Sequence, residues 1–389
     1  MVDRIVKPLN NNSFFLFGAR GTGKTYLLRR LLDPKTTLEI NLLEAEQEER
    51  LALEPDYLHS KIKAFKGELS TVFIDEVQKI PKLLDVVHDV IEKRKDIRFA
   101  LSGSSARKLR RGSANLLAGR AFQYFLFPFT HLELQNHFKL EDALRWGTLP
   151  TQIELENEQE KELYLRTYAQ TYLQQEIVMA QVVRKLLPFR RFLEVAAQSN
   201  GQLINFSNIA RDVGADTKTV QSYFQILEDT LIGFMLQPFH ESIRKRQRSA
   251  PKFYFFDNGV AHALSKSLRI PLKEGTYAYG KAFENFIINE IQRLCTYLEP
   301  DYQLSYLQTE DDAEIDLIIE RPGLPRALIE IKSKKRVSRT DLRHIIQLSK
   351  SIPNSQAYCF SQDINSLSIE NVKCLPWQTG IQELGLTDE

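Results

Sequence analysis

Apolar residues in this chain fall into two rhythms. Short stretches of four to seven residues, apolar or alternating, occur at 14–17, 37–42, 71–74, 97–101 and 121–127, and the intervening sequence repeats apolar residues three or four apart. The first rhythm reads as buried strands and the second as amphipathic helices. Leu27, Leu28, Leu31 and Leu32 mark one helix, an acidic helical stretch covers 44–66, and 83–93 forms another helix. Strands alternating with helices predict a parallel α/β sheet over the first 130 residues. A basic helix is expected at 106–117, and 130–183 is helical apart from a break at Trp146-Gly147-Thr148-Leu149-Pro150.

The pattern then changes. A helix at 189–198 is followed by a short helix at 208–213 capped by Ser207, a turn at Gly214, and a helix at 218–227 opened by Asp216 or Thr217. That is helix-turn-helix spacing. Two β-rich segments, 231–238 and 252–256, flank a basic tip carrying Arg244, Lys245, Arg246 and Arg248. The last third predicts a helix at 280–298, strands at 303–308, 313–319 and 327–332, a helix at 340–349, and strands at 356–360 and near Val372. Four domains follow: 1–130, 131–185, 186–256 and 257–389.

Composition narrows the class without naming a chemistry. A chain of 389 residues exceeds one hydrophobic core, and 43% apolar with 26% charged residues is ordinary for a soluble protein. The net charge of +2 means that any nucleic-acid surface must come from local basic clusters. Cys295, Cys359 and Cys374 form no C-x-x-C pair, which argues for a reducing compartment without disulfides or structural zinc. The start lacks a signal-peptide core and no apolar run is long enough for a membrane span, so a cytoplasmic location is expected.

Chemistry concentrates at strand ends. After the first strand, Gly18-Ala19-Arg20-Gly21-Thr22-Gly23-Lys24-Thr25 matches G-x-x-x-x-G-K-[ST] between strand and helix, the setting of a phosphate-binding loop. Its backbone N–H groups and helix N-terminus would hold phosphates, Lys24 would reach the β- and γ-phosphates, and Thr25 would ligate Mg²⁺. The strand at 71–74 ends in Asp75-Glu76, where Asp75 would hold Mg²⁺ and Glu76 would orient the attacking water. In the C-terminal part, Asp316 heads one strand, and Glu330 and Lys332 alternate on the next. A hairpin brings Asp316 beside Glu330, a hard oxygen pair suited to Mg²⁺, with a lysine to stabilise developing charge.

The runs GARGTGKT, VFIDEVQKIP, LSGSSARKL, LAGRA and FPFT together resemble a family of bacterial and archaeal AAA-type ATPases that carry a C-terminal domain of unknown function. The likeness continues through WGTLP, TYLQQEI, YFFDNG, FENFIINEI and EIDL. It implies a P-loop AAA+ core, a helical lid, a winged helix and a restriction-endonuclease-like C-terminal α/β domain. ATP and Mg²⁺ are the implied cofactors. Ser102 and Ser104 resemble the sensor position, and Arg120 is either an arginine finger serving a neighbour in a homo-oligomer or a solvent-facing charge. Pro150 stands where related ATPases contact adenine, or simply turns one helix into the next. Asp316 and Glu330 would bind Mg²⁺, Lys332 would position or activate water, and Glu284 and Gln347 would assist. In a winged helix, Thr217, Lys218, Thr219, Gln221 and Ser222 would face duplex DNA, with the wing arginines on phosphates; the same module also serves for protein packing. Two functions result: an ATPase engaging duplex or branched DNA, with or without cutting it, or an ATP-controlled assembly switch whose C-terminal domain is an inactive module that binds protein or DNA.

Overall fold

A continuously apolar strand must be covered on both faces, and the inner strands of the first sheet are built that way. The computed structural model describes residues 2–9, 11–105, 117, 119–172, 186–240 and 250–387. The chain divides into two units; one comprises Val6–Phe127 with Asp229–Ile232, and the other comprises the remainder.

In the first unit, β1 (Ser13–Phe17), β2 (Thr37–Asn41), β3 (Thr71–Asp75), β4 (Arg98–Gly103) and β5 (Ala121–Phe125) form one parallel sheet in the order β2-β3-β4-β1-β5. Every residue of β1 and β3 is buried. The helix Leu83–Lys93 is amphipathic and buries Leu83, Leu84, Val86, Val87 and Val90 into the core. The helical stretch expected at 44–66 is two helices, Ala45–Leu53 and Tyr57–Ala64. Pro55 accounts for the break, because proline lacks an N–H and pushes its predecessor out of the helical region. The expected basic helix with Arg107, Lys108, Arg110 and Arg111 falls outside the described residues.

The second unit includes helices His131–Leu134, Leu140–Trp146, Pro150–Glu154 and Glu158–Thr167, with Pro150 at the first helical position of its helix. There its missing N–H costs nothing. Helices Leu186–Gln198, Phe206–Val213 and Thr217–Asp229 follow. The cap of the second is Asn205 rather than Ser207: the helix starts earlier than expected, and Asn205 Oδ1 accepts from the Asn208 N–H at 3.0 Å. Gly214 takes the left-handed conformation at φ 70°, and Asp216 Oδ1 accepts from the Thr219 N–H at 2.9 Å. Lys218, Gln221 and Ser222 are exposed.

Strands β6 (Gly233–Pro238) and β7 (Lys252–Phe255) form the expected antiparallel hairpin. Its tip, with Arg244, Lys245, Arg246 and Arg248, lies outside the described residues. The hairpin does not end at the expected boundary near 256. β6 pairs in parallel with β8 (Gln303–Gln308), so it joins one eight-stranded sheet with β9 (Glu314–Glu320), β10 (Arg326–Lys332), β11 (Ser355–Ser361), β12 (Leu367–Ile369) and β13 (Val372–Pro376). The order is β12-β13-β11-β10-β9-β8-β6-β7. One core contains the long helix Tyr277–Leu298 with Leu317, Ile319, Ala327, Ile329 and Ile331; another packs Leu342, Ile345 and Ile346 on Ile318 and Leu328.

A buried polar network ties this unit together. Arg293 donates to the Phe129 carbonyl and Thr148 Oγ1 (3.1 Å each), to the Phe256 carbonyl (2.5 Å) and to Glu290 (3.4 Å). Glu290 accepts from the His131 N–H at 3.0 Å, and Asp257 accepts from the N–H groups of Thr148 (2.7 Å) and Val260 (3.1 Å). Asn258 Nδ2 donates to the Leu144 and Ala282 carbonyls at 3.2 and 2.8 Å. The motif residues of WGTLP, FFDNG and FENFIINEI therefore act here as structural cross-links. The three cysteines are buried free thiols, and among the described residues no helix is long and apolar enough to cross a membrane.

Candidate functional site

Strand β1 delivers the chain to Gly18, where a side chain has no room. A Cβ there would meet the Leu126 carbonyl oxygen at 2.3 Å and Thr22 Oγ1 at 2.8 Å. Gly21 and Gly23 then take φ of 82° and 92°, which glycine adopts without strain. Lys24, the first residue of the helix Lys24–Leu31, is buried and donates to the carbonyls of Gly18 (2.8 Å) and Ala19 (3.2 Å). Gly18→Ala is expected to weaken ATP binding well over tenfold, because the clash is with backbone that cannot rotate away; titration with a fluorescent ATP analogue checks this.

Thr25 and Asp75, fifty residues apart, meet: Thr25 Oγ1 donates to Asp75 Oδ2 at 2.8 Å. Ser102 Oγ donates to the other Asp75 oxygen and accepts from the Glu76 N–H at 3.2 Å. Glu76 sits in the left-handed region at φ 59°, and its carboxylate accepts from Gln78 Nε2, which also donates to Ser104 Oγ at 3.0 Å. A non-glycine residue held there is strained, a state that persists where surrounding contacts over-determine it. Gln78 was not legible as a site residue. Gly103 makes space for it, since a Cβ there would meet Gln78 Oε1 at 2.6 Å. Lys24, Thr25, Asp75, Glu76, Ser102 and Ser104 thus converge at the carboxyl ends of the strands, where open α/β sheets bind ligands. The donor set, a hydroxyl and a carboxylate already bonded together, suits Mg²⁺, which prefers hard oxygens. Arg120 lies elsewhere on the surface of this unit, with its guanidinium on Glu92, and it holds the Glu92 carboxyl below its usual range.

The second unit carries a cleft of about 440 Å³, lined among others by Lys252, Glu284, Glu314, Asp316 and Lys332. The β9–β10 register, Ile329 opposite Leu317, brings Asp316 next to Glu330. Asp316 Oδ2 accepts from the Ile331 N–H at 2.7 Å, and Lys332 Nζ lies 2.6 Å from Glu330 Oε1. Two cleft residues, Lys252 and Glu314, and Tyr254 against the cleft residue Glu284 are not legible in the sequence. Buried Lys252 pairs with Glu314, and buried Tyr254 donates to Glu284 Oε1 at 2.7 Å. Both come from β7, which the sequence assigned to a separate domain. Gln347, by contrast, is exposed.

Glu284, Glu314, Asp316 and Glu330 interact with one another and with Lys252 and Lys332 here. Burial and then the Asp316 charge push Glu284 up to about 7 and Glu330 up to about 8. Burial also raises Asp316, against Lys332 and Lys252. Burial opposes the charge of Lys332, but Glu330 and Asp316 outweigh it and raise its pKa. Glu330 Oε2 is buried with no hydrogen-bond partner. A divalent cation would neutralise that excess of acid. As the side chains stand, however, no three His, Cys, Asp or Glu residues among those described converge on a metal position. Asp316 and Glu330 together would offer a two-carboxylate hold. A carboxyl raised by folding stabilises at low pH, and the benefit is lost as pH rises through its folded pKa. In EDTA, the wild-type melting temperature should accordingly fall more between pH 5 and pH 9 than that of Glu330→Gln; equal slopes would refute the assignment of this repulsion.

Residues 10–135 match the family model of an AAA domain. This match supports an AAA-like ATPase domain, with the nucleotide binding that such domains imply. Residues 137–270 and 279–379 match the models of two domains of unknown function, DUF8612 and DUF4143. The chain is 29% identical over 337 residues to an uncharacterized protein of Mycobacterium tuberculosis, covering 86% of this chain and 73% of that one, and equally to one of Mycobacterium bovis. An uncharacterized protein of Methanocaldococcus jannaschii is 22% identical over 430 residues, covering 97% of this chain and 86% of its own.

Proposed function

We propose that this chain is a Mg²⁺-dependent ATPase whose second unit engages nucleic acid. The convergence of Lys24, Thr25 and Asp75 with Glu76 carries the first part. Lys24 would exchange the Gly18 and Ala19 carbonyls for phosphate oxygens, and Thr25 with Asp75 would hold the metal. Bound Mg²⁺ would neutralise charge on the β- and γ-phosphates. Glu76 would accept a proton from the attacking water, with Gln78 and Ser104 setting the direction of its carboxylate. Arg120 would leave Glu92 to complete the site of a neighbouring subunit, a role worth about 10³–10⁵ in turnover where measured. Phosphate release from ATP with and without Mg²⁺ is the test; an inert wild-type protein would remove the proposal.

The nucleic-acid part is supported by the order of elements around Phe206–Val213 and Thr217–Asp229, which suits a winged helix, and by the charged cleft. Lys218 and the basic tip with Arg244, Lys245, Arg246 and Arg248 would contact DNA phosphates, and a restriction-endonuclease-like fold would place Asp316, Glu330 and Lys332 at the scissile phosphate. Asp316 and Glu330 would hold Mg²⁺ and Lys332 would stabilise the departing charge. Incubation of linear and supercoiled DNA with Mg²⁺ tests cutting. Activity that survives both Asp316→Ala and Lys332→Ala would exclude this cleft.

A further inference from the structure

The mouth of the cleft has a chemistry its acidic floor does not explain. Tyr277 opens the helix Tyr277–Leu298 and lines the cleft, yet it is 74% exposed. Its hydroxyl accepts from Gln202 Nε2 at 3.4 Å, and the Lys281 ammonium lies 5.1 Å from its ring centroid. Leu203, 43% exposed, lines the same mouth from the loop before Phe206–Val213. The half-buried Lys281 and the exposed Lys334 also line the cleft, the latter braced by Asp341, while the more enclosed Lys252 and Lys332 pair with their carboxylates.

An exposed ring beside an apolar residue and cationic side chains is a stacking platform with an electrostatic hold on phosphate, the combination that binds single strands. The volume falls within the usual range of roughly 300–1,000 Å³ for small-molecule sites. A base inside a duplex has both faces covered by its neighbours, so along a strand Tyr277 can receive an unpaired base but not an interior base pair. We propose that this cleft binds single-stranded nucleic acid, stacking one base on Tyr277 against Leu203 and holding the adjoining phosphate with Lys281 and Lys334. The proposal rests on the nucleic-acid reading above and specifies its substrate as unpaired strand. It sets the cleft apart from the duplex contact assigned to the helix-turn-helix.

The test is fluorescence anisotropy of the full chain, in EDTA and low salt, with labelled oligothymidylate, oligouridylate and a short duplex. Tyr277→Ala should weaken single-strand binding on the order of tenfold, and Tyr277→Trp should restore it. Lys281→Ala should weaken it and lower the salt slope by about one. Tyr277 is exposed, so folding is not at stake. Tyr277-dependent binding of the thymidylate alone assigns the site to DNA, and of both strands to either polymer; each supports the proposal. Single strands bound equally by wild type and Tyr277→Ala, or only duplex bound, overturn it while leaving the broader nucleic-acid reading standing. Failure of every nucleic acid to bind overturns both.

Discussion

Glu76→Gln should reduce ATP turnover by about 10²–10⁴-fold while leaving ATP binding within a few-fold of wild type, whereas Lys24→Ala should lose binding as well. The amide keeps the shape of the side chain and its contact with Gln78 but cannot take a proton, and general bases contribute about that factor. Lys24 lies buried within the loop, so its loss removes charge from the ground state and the transition state alike. Single-turnover hydrolysis beside equilibrium binding separates the two effects. Equal turnover in Glu76→Gln and wild type would show that another group activates the water.

Arg293→Met should destabilise the second unit by roughly 3–5 kcal/mol, the usual cost of removing one partner from a buried ion pair. Arg293 is 3% exposed and Glu290 is fully buried. Among the described residues, the variant would leave that carboxylate with its His131 contacts alone and would take the Arg293 donors from the Phe129 and Phe256 carbonyls. At about 2–4 °C per kcal/mol for a unit of this size, the melting transition should fall on the order of 10 °C. A shift of under about 2 °C in scanning calorimetry would mean that the network is peripheral to stability.

What was legible in the sequence was local. The loop Gly18–Thr25 is contiguous because phosphate binding needs consecutive N–H groups at fixed spacing, and Asp75-Glu76 ends an apolar run that reads as a buried strand. Glu330 and Lys332 were readable through the two-residue period of β10, and Asp316 through the hairpin before it. The unread parts depend on long-range pairing. Gln78 matters only because Glu76 turns left-handed and Gly103 leaves room, which no spacing rule encodes. Lys252 and Tyr254 reach the acids because β6 pairs with β8, a parallel pairing between segments separated by a long helix. The network around Asp257, Glu290 and Arg293 was hidden by its setting: these polar residues sit within otherwise apolar runs, and only the fold shows that they face inward.

The most direct test of the proposal that ATP hydrolysis is coupled to nucleic acid is hydrolysis by the full chain with Mg²⁺, with and without oligothymidylate, at low and high salt. Hydrolysis should rise several-fold with the single strand, fall back as salt displaces the phosphate contacts, and vanish in Glu76→Gln. A wild-type rate indifferent to every nucleic acid at low salt would contradict the account.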